Sequence, residues 1–240
     1  MSPDPSNATA APVENGGFVW KVGGRAASFP SGIPDSEVYL HDDWGDDRLT
    51  DREDSETTTY NGEEGIYRPE WTTDRGSPTA SGGALQVSDG EGLYTGISLN
   101  LSEDVVWEIN GLDDSGSGDG NTDGFNVVVF SETNNFVEDS TSASFDNGYV
   151  ADVNPIDRSE LIRLFVFENG SRAEIGRIEE RGSVPDDIKV TRESDGTWKI
   201  EAGGETEDLG QDTTFTDPQY TGFVTQDGSV DVALDEYKVS

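Results

Sequence analysis

The stretch Ile188-Lys-Val-Thr-Arg-Glu-Ser-Asp-Gly-Thr-Trp-Lys-Ile-Glu-Ala202 decides the fold. Asp195-Gly196 lies between two runs in which apolar and polar residues alternate, and the glycine supplies the positive φ that a tight hairpin needs. Strand side chains alternate with a period of two, so Ile188, Val190 and Arg192 fall on one face, as do Trp198, Ile200 and Ala202. The segment predicts an antiparallel β-hairpin.

The same texture extends in both directions. From Ala84 onward, short β-branched and aromatic runs are broken by Gly, Asp, Asn and Ser every ~8 to 12 residues, the mark of an all-β sandwich or barrel. Expected strands are 84–88, 93–99, 105–109, 125–130, 149–153, 161–167, 173–178, 188–192, 198–202, 220–225 and 230–239. No long helical period interrupts them.

The hairpin and the segment TTFTDPQYTGFVTQDGSVDVALDEYKVS at 213–240 together resemble the end of concanavalin A-like and laminin G-like domains. The matching pieces are Trp198, Gly222-Phe223 and Leu234-Asp235-Glu236-Tyr237-Lys238-Val239, while GFNVVVF at 124–130 and NGYVADV at 147–153 look like central strands of that family. The resemblance covers residues 84–240 and implies an antiparallel jelly-roll sandwich. It speaks to fold more than to function. DDWGDDRLTDRED and RPEW in the leader look similar to leaders of haloarchaeal surface and virion proteins carrying such a sandwich.

Ahead of the sandwich, residues 1–40 read as an extended anchoring arm, with two short strands at 18–22 and 37–40. Such a segment is too small for a core of its own, but it can pair with a sheet edge of another subunit. Residues 41–83 form an acidic leader, and Trp44, Leu49, Tyr60, Ile66, Tyr67 and Trp71 are the groups able to pin it onto the sandwich. The expected organisation is therefore arm 1–40, leader 41–83 and sandwich 84–240.

Charge sets the environment. The chain carries 50 Asp plus Glu against 15 Lys plus Arg, a formal net charge of -35. In dilute solution that charge opposes compaction, whereas in molar salt the Debye length falls to about 3 Å and the opposition fades. The acids are scattered along the chain rather than gathered in a tail, which predicts a protein of an extreme halophile. Low hydrophobicity with high charge also marks disorder, but the patterned apolar runs argue for a folded body. A surface of this sign repels nucleic acid and anionic membranes. There is no Cys, so disulfides and thiolate metal sites are excluded. The first 40 residues hold no apolar run of about 7 to 15 behind a basic start, and the sequence begins at Met1, so neither a signal peptide nor a membrane insertion is expected.

Three patterns bear on chemistry. In WEINGLDD at 107–114, a laminarinase-like ExDxE strand would need carboxylates at alternate positions, but Glu108 is followed by Asn110 and Leu112. His41, the single histidine, stands beside Asp42 and Asp43 and is expected to be an exposed or capping residue. Asp119, Asn121 and Asp123 have the D-x-N-x-D-G spacing of a calcium loop, although the twelfth position is Phe130 rather than Glu and no helices flank it. A solvated hairpin loop is the alternative. Sequons occur at Asn7, Asn100 and Asn169.

Two functions remain. One is a non-enzymatic, homo-oligomeric surface or virion protein, anchored to other such proteins by residues 1–40, with a lectin-like sandwich facing a host glycan. The other is a halophilic carbohydrate-binding module or glycan hydrolase. Trp44, Tyr60, Tyr67, Trp71 and Tyr94 serve as sugar-stacking platforms in either reading, or as core and loop-pinning residues.

Overall fold

The computed structural model describes residues 39–51, 56–60, 63–88, 90–114, 124–134, 138–139, 142–143, 146–153, 161–179, 186–225 and 231–240, together with four two-residue strands nearer the N-terminus. Contacts divide the chain into Met1–Ser36 and Glu37–Ser240. In the first unit Ala11–Pro12 pairs with Phe18–Val19, and Lys21–Val22 with Arg25–Ala26.

The second unit is all-β. Among the described residues seven strands form one antiparallel sheet, in the spatial order Ser171–Glu179, Leu161–Glu168, Asn147–Val153, Phe125–Ser131, Tyr220–Thr225, Gly92–Gly96 and Thr72–Arg75. An eight-stranded sheet runs Glu205–Gln211, Thr197–Ala202, Ile188–Arg192, Val105–Asn110, Glu236–Val239, Leu40–Asp42, Glu63–Tyr67 and Glu56–Tyr60. A smaller sheet, Asp113–Asp114, Val232–Leu234, Ala84–Val87 and Thr79–Ser81, adds four strands. The eight-stranded sheet has one parallel pair, Leu40–Asp42 with Glu63–Tyr67, where an all-antiparallel sheet was expected.

The deciding hairpin forms in the expected register, with Ile188 opposite Ala202, Val190 opposite Ile200 and Arg192 opposite Trp198. Its loop closes through Glu193 N–H to Thr197 O and Gly196 N–H to Glu193 O, both 2.8 Å, and Gly196 takes φ +88°. The expected strand 230–239 breaks at Asp235, so that Val232–Leu234 and Glu236–Val239 join different sheets. Leu40, expected at the end of the arm, lies fully buried in a strand hydrogen-bonded beside the last one.

Between the two large sheets sits one aromatic-rich core. Trp107 stacks on Trp198 at 5.9 Å, and Tyr149 lies 4.7 Å from Trp198 and 5.0 Å from Phe130. A second aromatic group joins Trp44 to Trp71 at 5.3 Å, and Trp71 to Phe223 at 5.6 Å. Asp42, itself buried, accepts hydrogen bonds from Trp44 N and Trp71 Nε1 at 2.9 and 2.7 Å, which ties the leader into the core. Trp44 and Trp71 are therefore core residues, not sugar platforms.

Candidate functional site

The expected site residues scatter. Glu108 and Asn110 point away from the core on the eight-stranded sheet, where Lys238 Nζ donates to Glu108 at 3.0 Å and Asn110 Nδ2 donates to Glu236 at 2.7 Å. Leu112 is buried. His41 is mostly buried rather than exposed, because its Nε2 lies 2.7 Å from Glu236 Oε1 and its ring packs 5.3 Å from Tyr67. Asp119, Asn121 and Asp123 lie outside the described residues, as do Asn7 and the side chain of Tyr60. Among the described residues no group of three or more metal-capable side chains occurs. Asn100 Oδ1 accepts from Ser102 N at 3.2 Å, and Asn169 sits exposed at a hairpin tip. Among the described residues no helix is long and apolar enough to cross a membrane.

Next to His41, Asp43 accepts from Arg68 Nε at 2.7 Å and from Tyr67 Oη at 3.0 Å. Partial burial pushes the Asp43 carboxyl up, but the bonds from Arg68, Gly45 N and Tyr67 outweigh it and hold the group at about 2. Burial and the Asp43 charge raise Tyr67 to about 12. A folded-state value below the ordinary 3.8 means that Asp43 stabilises the fold above that pH and loses the contribution as pH falls toward 2. Wild type should melt higher than Asp43→Asn above about pH 4, with the gap closing toward about pH 2, in a thermal-midpoint series against pH. A gap that persists at the acid end refutes this.

A site that the sequence reading did not single out lies on the face of the seven-stranded sheet turned away from the core. Two adjacent cross-strand rows define it. One runs Val224, Asn126, Asp152, Arg163 and Arg177, each paired with the next. The neighbouring row, about 7 Å along the strands, runs Tyr94, Gly222, Val128, Val150, Phe165 and Glu174. Val128, Val150, Phe165, Phe167 and Val224 form an apolar cluster separate from the main core, with Tyr94 and Tyr220 packed against it. A sheet that buries both faces explains the near-continuous apolar runs of these strands.

The polar row is set into this apolar surface at a cost. Asn126 is 3% exposed, yet its Nδ2 has no hydrogen-bond partner. Arg163 donates through Nη2 to Asp152 at 2.5 Å, but its buried Nε likewise has none. Burial pushes the Asp152 carboxyl up, and Arg163 pulls against it. Burial thus disfavours the charged form of Asp152, and a raised folded-state value makes the group favourable at acid pH and costly as pH rises. Buried donors without a partner occur elsewhere too, at Trp107 Nε1 and Arg192 Nε; here two of them adjoin a buried ion pair.

The apolar row supplies the complementary surface. Tyr94 is half-buried, meets Tyr220 edge-on at 5.6 Å and accepts a hydrogen bond on Oη from Asn134 Nδ2 at 3.1 Å. Beside it, Gly222 must be glycine, because a Cβ there would collide with the backbone of Leu93. The backbone of the neighbouring strand packs directly against that position. Tyr94 lies two strands from Asn126, three from Asp152 and four from Arg163, about 10 to 19 Å across the sheet at the usual strand spacing, so only an extended ligand of several rings would span the two rows.

No protein-family model matches the chain, and no curated protein matches it. Solved structures do. The carbohydrate recognition domain of Emp47p is similar at TM-score 0.55 and 14% identity, over 70% of this chain and 87% of that one. That of Emp46p in its potassium-bound form gives TM-score 0.53 at 10% identity, over 70% and 87%. The exoplasmic/lumenal domain of VIP36 in its Ca2+/Man3GlcNAc-bound form gives TM-score 0.52 at 12% identity, over 71% and 83%. At these identities the likeness is one of fold, an all-β antiparallel jelly-roll sandwich of the concanavalin A-like type.

Proposed function

We propose that this protein is a non-enzymatic, lectin-like glycan-binding protein that works in concentrated salt on the surface of a halophilic cell or virion. The observation that carries the reading is the buried donor of Asn126, without a partner and directly beside the Asp152–Arg163 pair. Three solved domains of the same fold are named for carbohydrate recognition or bound saccharide, which supports it. The hydrolytic alternative loses its strand carboxylate, because Glu108 is engaged by Lys238 on the other sheet.

Asn126→Leu is the direct test. Replacing an orphaned buried donor with an apolar group of similar size should leave stability unchanged or raise it by about 1 kcal/mol, while glycan binding is lost. Glycan-array binding in molar KCl, paired with a melting curve, separates the two effects. Binding that survives the substitution refutes the site.

Two further parts of the proposal are assembly into a homo-oligomer, with other surface proteins, through residues 1–40, most of which lie outside those described, and calcium held by Asp119, Asn121 and Asp123, all of which do. The calcium in the VIP36 structure and the spacing of the three oxygens support the second. Light scattering in molar salt should show an oligomer that dissociates on deletion of residues 1–36. The cut belongs at Ser36, where contacts divide, because Leu40 is core. The same measurement with and without chelator reads the calcium. A monomer in every condition refutes the arm's role.

A further inference from the structure

On the glycan-binding reading, we infer that the saccharide carries a negatively charged group, a carboxylate or a sulfate ester, seated over Arg163 and Arg172. The argument begins with scarcity. Basic residues number 15 against 50 acids, so any place where guanidinium groups gather is a local reversal of the molecule's field. On three neighbouring strands, Asn147–Val153, Leu161–Glu168 and Ser171–Glu179, the described outward side chains include Arg163, Arg172 and Arg177 against Asp152 and Glu174.

The pairing of these groups leaves a surplus. Glu174 is consumed by Arg177, through two bonds of 2.7 Å in a fork. Asp152 is consumed by Arg163. Arg172 has no carboxylate partner among the described residues; its guanidinium lies over the Phe165 ring at 5.0 Å, and that of Arg163 lies 5.4 Å from the same ring. Two guanidinium groups thus converge on one phenyl ring, one with a buried Nε lacking an acceptor and the other exposed, acting on Asp152 only through space with no ion-pair contact to it among the described residues. Phe165 belongs to the apolar row that begins at Tyr94, so an acidic substituent on a bound sugar chain would meet this end of the site.

The chemistry selects the ligand class. Neutral hydroxyls satisfy the Asn126 amide, whereas a planar fork with free donors is matched by carboxylate or sulfate oxygens. Ring stacking fixes the guanidinium orientation, and at molar salt only such direct contacts survive screening. The bland role for the two arginines is to cover Phe165 from water with their methylene stems, and a variant that keeps the stem while removing the charge distinguishes the two roles.

The experiment uses the full chain in about 2 M KCl, titrated with matched pairs: oligogalacturonate against its carboxyl-reduced form, and dextran sulfate against dextran. The charged member of at least one pair should bind about tenfold tighter than its neutral partner, and which pair responds names the acid group. Arg172→Met and Arg172→Gln should both abolish that preference with the melting midpoint unchanged. Equal binding of the neutral partner, or a preference that survives both variants, overturns the inference and leaves the glycan reading standing. No binding to any saccharide, charged or neutral, overturns both.

Discussion

Transfer from about 3 M KCl to dilute buffer should unfold the sandwich. The described ion pairs engage Arg68, Arg163, Arg177, Lys189, Lys199 and Lys238, and a net charge of -35 remains on a 25.9 kDa chain. In molar salt each carboxylate senses only groups within about 3 Å, but at 0.01 M the Debye length of about 30 Å spans the domain and the repulsions add. Three of the four lysines sit on the outward face of the eight-stranded sheet, each beside an acid. Those exposed pairs are worth too little to offset the sum. Circular dichroism at 25 °C across a KCl series should show the folded fraction falling below half under about 0.1 M, where the Debye length passes ~10 Å. A melting midpoint that stays constant from dilute buffer to molar salt would refute the halophilic reading.

Removal of the Trp198 ring should cost about 3–5 kcal/mol, the largest loss expected of a single substitution here. Trp198 is fully buried between the sheets, contacts Trp107, Phe130 and Tyr149 ring to ring, and donates its indole N–H to Asp212 O at 3.2 Å. Tyr149 in turn gives its hydroxyl to Asp212 Oδ1 at 2.6 Å, so the segment after Gln211 hangs on the same aromatic group. Trp198→Ala would leave a cavity and an unmatched carbonyl; Trp198→Phe would keep most of the packing and lose less. Denaturant titration in molar KCl gives both values. A loss below about 1 kcal/mol for Trp198→Ala would mean that the core closes over the gap.

The strands that alternate or run apolar were legible in the sequence. Ile188–Arg192 and Tyr220–Thr225 match their expected limits, and Val105–Asn110, Phe125–Ser131 and Thr197–Ala202 extend theirs by one residue. Glu205–Gln211 was not, because ETEDLGQ at an exposed edge has no buried face to write a period into the sequence. Leu40–Asp42 was read only at its first residue, where the expected strand 37–40 ends: three residues are too few for a pattern, and their partners lie almost 200 positions away. The polar row on the outer face was missed for another reason. In FNVVVF and YVADV, strands buried on both faces, Asn126 and Asp152 are the lone polar side chains, and that solitude is the signal. Reading it requires knowing that both faces are covered, which only the assembled sheets reveal.

The neighbouring position of Leu40–Asp42 and Glu236–Val239 bears on the order of events during folding. The middle of the eight-stranded sheet is closed by pairing the beginning of the sandwich with its last strand, including Tyr39 N–H to Val239 O at 2.8 Å. The entropy of closing so large a loop must be met before that contact returns anything. Local hairpins such as 188–202 can form early, but the sheet stays open at its centre until the final strand has been synthesised and docked. Such a topology folds slowly, and its incomplete forms expose strand edges to one another. In molar salt, where the Debye length is about 3 Å, the negative charge cannot hold such forms apart at a distance, so their protection depends on how soon the open edges are covered.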